Sequence, residues 1–486
     1  MHPERSNNSR NAYRIALFAV LILLIGSLVC YRQRMLFIDP AWIVYSIINT
    51  KSFCIVEHRY GAIATQIVPV IGVYFNWSLR AILVLYSASF YIFYTAVMLI
   101  VGRYCRQYAF GTLLALYLVL MVSDNYFWPN NEVHQGVAWA FLALGIFFTN
   151  QTRQRPDILG YILFPVLSFL AIFSHFIVIV PFSFLWIYCL LNEKVYRDSR
   201  QKIAQIIAGS LCIIILFLIK YELGRNGWYD GGKLNAVKTL NARAVLQSFT
   251  NGHSKMISIL LLKNYWMLIP IFLAGQIMLL KERKFLQALL TIGYVVGFYS
   301  LICMTYPEAF RIELLYYIES EWMAFAIIVA TPFVFQVIPA MRGAVAVGVM
   351  AFIFLVRLAY IGYSYRDFDS RFAMLDNLTQ TLHQSGIRKA VITMENPPRD
   401  QVFFMDWGTP VESMMLSDLR GYAQPITFKI VSPDFVLPQH SALLFLNCFG
   451  TDTIRKINMQ YFPLDTTSPY KTLRWNDLPT SRQVKD

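Results

Sequence analysis

Long apolar runs separated by short polar breaks fill the first three quarters of the chain. A bilayer core about 30 Å thick takes roughly 20 apolar residues per helix. That ruler places spans near 13–31, 81–102, 109–125, 136–150, 203–221, 263–280, 287–304, 320–338 and 344–362. One more run, Ile158 to Leu191, is too long for a single helix. Ser174-His175 interrupts it, and the pattern predicts two helices joined by a tight turn at the membrane surface. The expected total is about eleven transmembrane helices. Ala41–Ile48 and Ala62–Phe75 are apolar but too short to span, and predict two flat interfacial helices within a first outer loop, 32–80. A second outer loop, 222–262, opens with Gly224, Gly227, Gly231 and Gly232 and continues as a mixed helical stretch.

Beyond residue 362 the pattern changes to that of a soluble domain. Phe372, Leu375, Leu378 and Leu382 fall at helical spacing before Ser385-Gly386, a helix stop. Ala390–Met394 and Ala442–Leu446 read as short buried strands. The expected fold is mainly α: a polytopic membrane domain over 1–362 and a small α/β soluble domain over 363–486.

Composition agrees. The chain is 57% hydrophobic and only 14% charged, against about 25% charged in soluble domains, which excludes a cytosolic enzyme. The net charge of +14 is not a nucleic-acid signal, because Lys and Arg cluster between the apolar runs. With the N-terminus inside, the inner loops 103–108, 151–157, 192–202, 281–284 and 339–343 hold twelve Lys and Arg, whereas the short outer loops 126–135 and 305–319 hold only Arg311. This bias predicts a cytoplasmic N-terminus and a periplasmic C-terminal domain on a bacterial inner membrane. The first run lacks small residues before a cleavage point and reads as a retained anchor. Seven Cys are too sparse for a disulfide scaffold. Cys54 and Cys448, the two in outer extramembrane segments, are either joined in an oxidising compartment or left free, with Cys448 a buried strand residue.

The polar chemistry gathers on the outer side. Asp39, beside the first flat helix, is a general base for a hydroxyl or an N-cap before Pro40. Arg59 and His58 suit a phosphate, with Glu57 beside them, or anchor the loop among lipid headgroups. His175, at the helix turn, is a donor or a structural residue. Glu132 and His134 form a Glu-x-His pair, a weak signal for a divalent metal without a third ligand. Arg311 either contacts an anion or pairs with Glu308 or Glu313. No P-loop, dinucleotide glycine fingerprint, His-Glu-x-x-His or Gly-x-Ser-x-Gly is present, so a substrate must arrive already activated.

This architecture resembles the GT-C superfamily of polytopic glycosyltransferases, which use polyprenyl-phosphate-linked sugars. The likeness lies in the first outer loop with an early acidic residue and two flat helices, the span count, the tightly turned helix pair and the outer C-terminal domain. In Phe37-Ile38-Asp39-Pro40-Ala41, Asp39 stands where the family keeps an acidic residue, though Pro40 replaces the second acidic residue often found there. The resemblance implies Asp39 as base and Arg59, His175 and Arg311 as contacts to the lipid phosphate. It implies transfer with inversion from a polyprenyl-phosphate sugar to an envelope glycan, lipid or protein acceptor. The competing classes are a transporter or flippase, an O-antigen polymerase or ligase, and a non-enzymatic receptor.

Overall fold

The computed structural model describes residues 3–152, 158–192, 200–227, 230–238, 241–306, 315–394 and 405–478. Six helices are long and apolar enough to cross a membrane: Asn7–Val29, Leu79–Tyr104, Glu132–Gln151, Arg200–Gly224, Phe285–Thr305 and Gly343–Gln384. Two bent pairs, Gly252–Lys263 with Leu268–Lys281 and Leu315–Trp322 with Phe325–Ala340, raise the number to eight if each is one span. Ile207, Leu211, Ile214 and Leu218 fall on one stripe of the Arg200–Gly224 helix and are each more than half exposed. Such a stripe is at home against lipid, not water.

Several expected spans differ in the structure. The 13-residue Tyr108–Leu120 helix and the Ile158–Ile172 helix are short for a full crossing. The expected span at 263–280 is the second arm of a pair bent by 86°, and that at 320–338 is cut by a 54° bend. Arg357 explains two of these stops. Its guanidinium donates to the Val119 and Val122 carbonyls (2.9 and 3.2 Å) where the Tyr108–Leu120 helix ends, and to the Asn264 carbonyl (2.6 Å) at the first bend. Helix-end carbonyls without intrahelical partners need such donors away from water.

In the first outer loop, helices Ile38–Thr50 and Ile63–Tyr74 stand where flat helices are expected. The 222–262 segment is helical over Asp230–Lys238, Ala242–Ser248 and from Gly252. The last long helix passes unbroken through 362–363, running 42 residues from Gly343 to Gln384. At 1.5 Å per residue this is about 63 Å, roughly twice the hydrocarbon thickness. It ends at Ser385, followed by Gly386 at φ +68°.

A small sheet region follows. Strands β1 (Lys389–Thr393), β2 (Thr427–Val431) and β5 (Lys471–Arg474) form a parallel sheet in the order β2-β1-β5, and β3 (Leu444–Leu446) pairs antiparallel with β4 (Thr451–Thr453). Helix Thr409–Leu419 packs on β2, where Ser413 Oγ accepts from Phe428 N at 3.2 Å.

This region docks on the 32–80 segment through side chains. Asn458 donates twice, from its backbone N–H to Asn49 Oδ1 and from its side-chain amide to the Ile48 carbonyl, Tyr461 donates to the Trp77 carbonyl at 2.9 Å, and Tyr45 meets Asp452 at 3.3 Å. Cys54 and Cys448 are both free thiols, Cys448 buried, so of the two alternatives the unbonded one is found and the docking is noncovalent. Burial of both pushes the thiols above their ordinary range.

Candidate functional site

A cavity of about 330 Å³ opens where the 32–80 segment, the His175 turn, the segment after Trp128 and the C-terminal region meet. Asp39, Glu57, Arg59, Glu132 and His175, five of the eight residues singled out in the sequence, line it.

Asp39 lies in the first turn of the Ile38–Thr50 helix, whose N-terminus has no side-chain cap. It stands two positions past the N-cap residue Phe37, and its carboxylate accepts from its own backbone N–H. Its Oδ2 also accepts from Trp128 Nε1 at 2.8 Å. Burial, and then the charge of Glu132, push its pKa from 3.8 up to about 7, while the Trp128 bond and Arg59 oppose the rise. A carboxyl poised near neutrality suits general-base work.

The backbone leading into Asp39 is strained. Ile38 has φ +31°, a region unfavourable for a β-branched residue. Its N–H donates to Glu412 Oε1 at 2.6 Å, and Arg371 donates to both oxygens of Glu412 (2.9 and 2.6 Å). Arg371 also donates to the Leu36 carbonyl at 3.2 Å. Both side chains are buried, at 2% and 0% exposure. Gly408 makes the close approach possible, since a Cβ there would lie 2.8 Å from Ile38 Cα. The C-terminal region thus holds the chain one residue before Asp39.

Arg59 is engaged differently. One terminal nitrogen bonds Glu132 at 3.0 Å and the other bonds Asp230 at 3.1 Å. Lys220, fully buried, sits 3.6 Å from Asp230 and donates to the Glu57 carbonyl at 2.8 Å. Charges alternate along Lys220, Asp230, Arg59 and Glu132, with Glu57 held by a left-handed turn at φ +50°.

His175 begins the short helical turn Phe176–Val178, and its Nδ1 accepts from Ile177 N at 3.2 Å, which places the proton of a neutral ring on Nε2. The turn fits closely against Gly61, where a Cβ would lie 1.8 Å from Ser174 Oγ.

The other three residues fall elsewhere. His58 is not in the lining; its Nδ1 lies 3.4 Å from the Tyr60 hydroxyl on an exposed edge. His134 points into the bundle, with Nε2 2.8 Å from Asn125 Oδ1 and its ring beside Tyr117. Two residues apart on a helix, Glu132 and His134 face different ways, so the Glu-x-His pair divides. Arg311 lies outside the described residues. Among the described residues no group of three or more His, Cys, Asp or Glu stands ready for a metal ion.

Sequence reasoning missed Trp128, Lys220, Asp230, Arg371 and Glu412. Lys220, at the very end of an apolar run, carried a readable signal, as did Arg357 inside one. The chain was compared with protein-family models and with curated proteins, and it matches none of them.

Proposed function

We propose that this chain is a membrane glycosyltransferase of the GT-C type, moving a sugar from a polyprenyl-phosphate carrier to an acceptor hydroxyl at the outer face of the cytoplasmic membrane. The observation that carries the reading is Asp39, with its pKa near 7, in a cavity shared by Arg59, Glu132 and His175. Asp39 takes the proton of the acceptor hydroxyl as its oxygen attacks the anomeric carbon. The bond from that carbon to the phosphate oxygen breaks with inversion, and polyprenyl phosphate leaves. Arg59, with His175 and Arg311, stabilises the phosphate charge.

In this scheme the N-terminus is cytoplasmic and residues 363–486 form a periplasmic domain. Eleven crossings follow if the short helices Tyr108–Leu120, Ile158–Ile172 and Phe176–Leu191 also span. The test incubates purified protein with polyprenyl-phosphate sugars and membrane extract, and identifies the modified species by mass spectrometry. A sugar-sized mass gain lost in Asp39→Asn supports the reading; no gain with any donor overturns it.

The two bent helix pairs favour a second reading, a lipid transporter, because broken helices recur at transport sites. Tyr316, Tyr317, Ser320 and Glu321 of one bent pair line the cavity. Movement of a labelled polyprenyl-phosphate lipid across proteoliposomes, without any covalent product, would favour it.

A further inference from the structure

Beside Asp39 the cavity carries a second kind of surface. Trp42 stands three residues on from Asp39, on the same helix face. Trp407 and Phe449 reach it from the C-terminal region. The Trp407 and Phe449 rings lie 4.9 Å apart at 33°, and Trp42 meets Phe449 edge-on at 5.5 Å and 83°. Phe449 is 66% exposed, yet its backbone is fixed, because Asn447 Oδ1 accepts from both Phe449 N (2.9 Å) and Gly450 N (2.7 Å).

The same cavity holds two amides more than nine-tenths buried, Asn130 at 6% and Asn131 at 5% exposure. Asn131 Oδ1 accepts from Val133 N at 3.0 Å, which settles the orientation of its amide. Its Nδ2, a donor, and Asn130 Oδ1, an acceptor, make no hydrogen bond among the described residues. Buried amides normally have partners, and these two residues line the same cavity as the aromatic rings, their unpartnered donor and acceptor lying just beneath its surface.

We propose that Trp42, Trp407 and Phe449 form a pyranose-binding subsite, in which a sugar ring lays its C–H face on the aromatic corner while its hydroxyls reach Asn130 and Asn131. The chemistry selects this class. A phosphate needs cations, and the three rings and two amides supply none; a wholly apolar ligand would leave both amides unmatched. The assignment rests on the glycosyltransferase reading and deepens it, since the ring belongs to the donor sugar or to a glycan acceptor.

The test is saturation-transfer NMR on purified full-length protein in nanodiscs, using methyl β-D-glucopyranoside, methyl α-D-mannopyranoside and methyl β-D-galactopyranoside. At least one glycoside should show saturation concentrated on the C–H protons of one ring face. Trp407→Leu and Phe449→Leu should weaken its binding about tenfold, and Trp407→Tyr should retain it. Saturation no greater than in empty nanodiscs for all three, or equal in both Leu variants, overturns the proposal. Adding a short-chain polyprenyl-phosphate mannose to Asp39→Asn protein separates the sources: displacement of the bound glycoside assigns the corner to the donor sugar, and retention assigns it to the acceptor. Binding needs no turnover, so glycoside binding without any transfer would defeat the enzymatic reading alone, and transfer without binding would defeat the subsite alone.

Discussion

The two walls of the cavity are built on opposite principles. On one, Arg59 is bound by two carboxylates, and Lys220 closes the chain of charges behind it. On the other, Asp39 receives an indole hydrogen bond and one from its own backbone N–H, and the largest charge raising its pKa is another carboxylate, Glu132. The first wall has its charges matched. The second holds a carboxyl that resists ionisation, on backbone kept strained by Glu412 and Arg371. Strain and a displaced pKa held in place by surrounding structure are marks of a reacting position, whereas matched charge is a mark of architecture, here one that fixes the Arg59 cation in place.

The sharpest way to break this contrast is Asp39→Asn. Loss of a general base should lower transfer ~10²–10⁴-fold. Stability should not fall with it. A carboxyl whose folded pKa lies above its unfolded value of 3.8 contributes stability that is fully present below that value and is lost as pH rises through about 7. At pH 8 ionised Asp39 opposes folding, and the amide removes that opposition. Near-normal transfer by the variant, read by product mass, would place Asp39 with the architectural wall.

Next comes the support behind Asp39. Arg371→Ala leaves Glu412 buried without its partner and should cost about 3–5 kcal/mol, read as a lower unfolding midpoint in nanodiscs. Glu412→Gln keeps an oxygen for the Ile38 N–H and should retain more transfer than Glu412→Ala. Equal loss in both would show that the Ile38 contact does not position the base. On the opposite wall, Asp230→Asn should cost about 1–3 kcal/mol of stability while changing transfer far less than Asp39→Asn does.

How much of this was legible varies by the range of the interaction. Asp39, Glu57, Arg59, Glu132 and His175 could be gathered from sequence because each stands beside the end of an apolar run, and the runs themselves force those ends together. Trp128 could not be linked to Asp39, nor Glu412 to Ile38, since residues 89 and 374 positions apart share no local pattern. Helical spacing found the helix stop at Ser385-Gly386, but that this helix is continuous with the span ending at 362 escaped hydropathy for a different reason. Hydropathy marks where apolar sequence stops, but no Gly or Pro stands between Gly362 and Gln384, so the helix continues through Arg371. The bend at 264–267 was equally hidden, because its carbonyl is satisfied by Arg357, 93 positions away. The turn at His175 was legible, since Ser-His within an otherwise apolar run is a local signal.

The smallest expected effect tests the link between the walls. Transfer should require ionised Asp39, so its rate should fall as pH drops through about 7. Glu132 and Arg59 act on that carboxyl with opposite signs: the Glu132 charge raises its pKa and the Arg59 charge lowers it. Glu132→Gln should therefore move the acidic limb of the pH–rate profile to lower pH, by an amount on the order of one unit or less. Arg59→Gln should move it to higher pH. The comparison is informative because neutralising either residue also breaks their 3.0 Å ion pair. A purely structural consequence of that break would lower the rate in both variants without moving the limb. Limbs displaced in opposite directions would mean that the matched wall sets the proton affinity of the reactive one, and a limb unmoved in both would separate the two walls electrostatically.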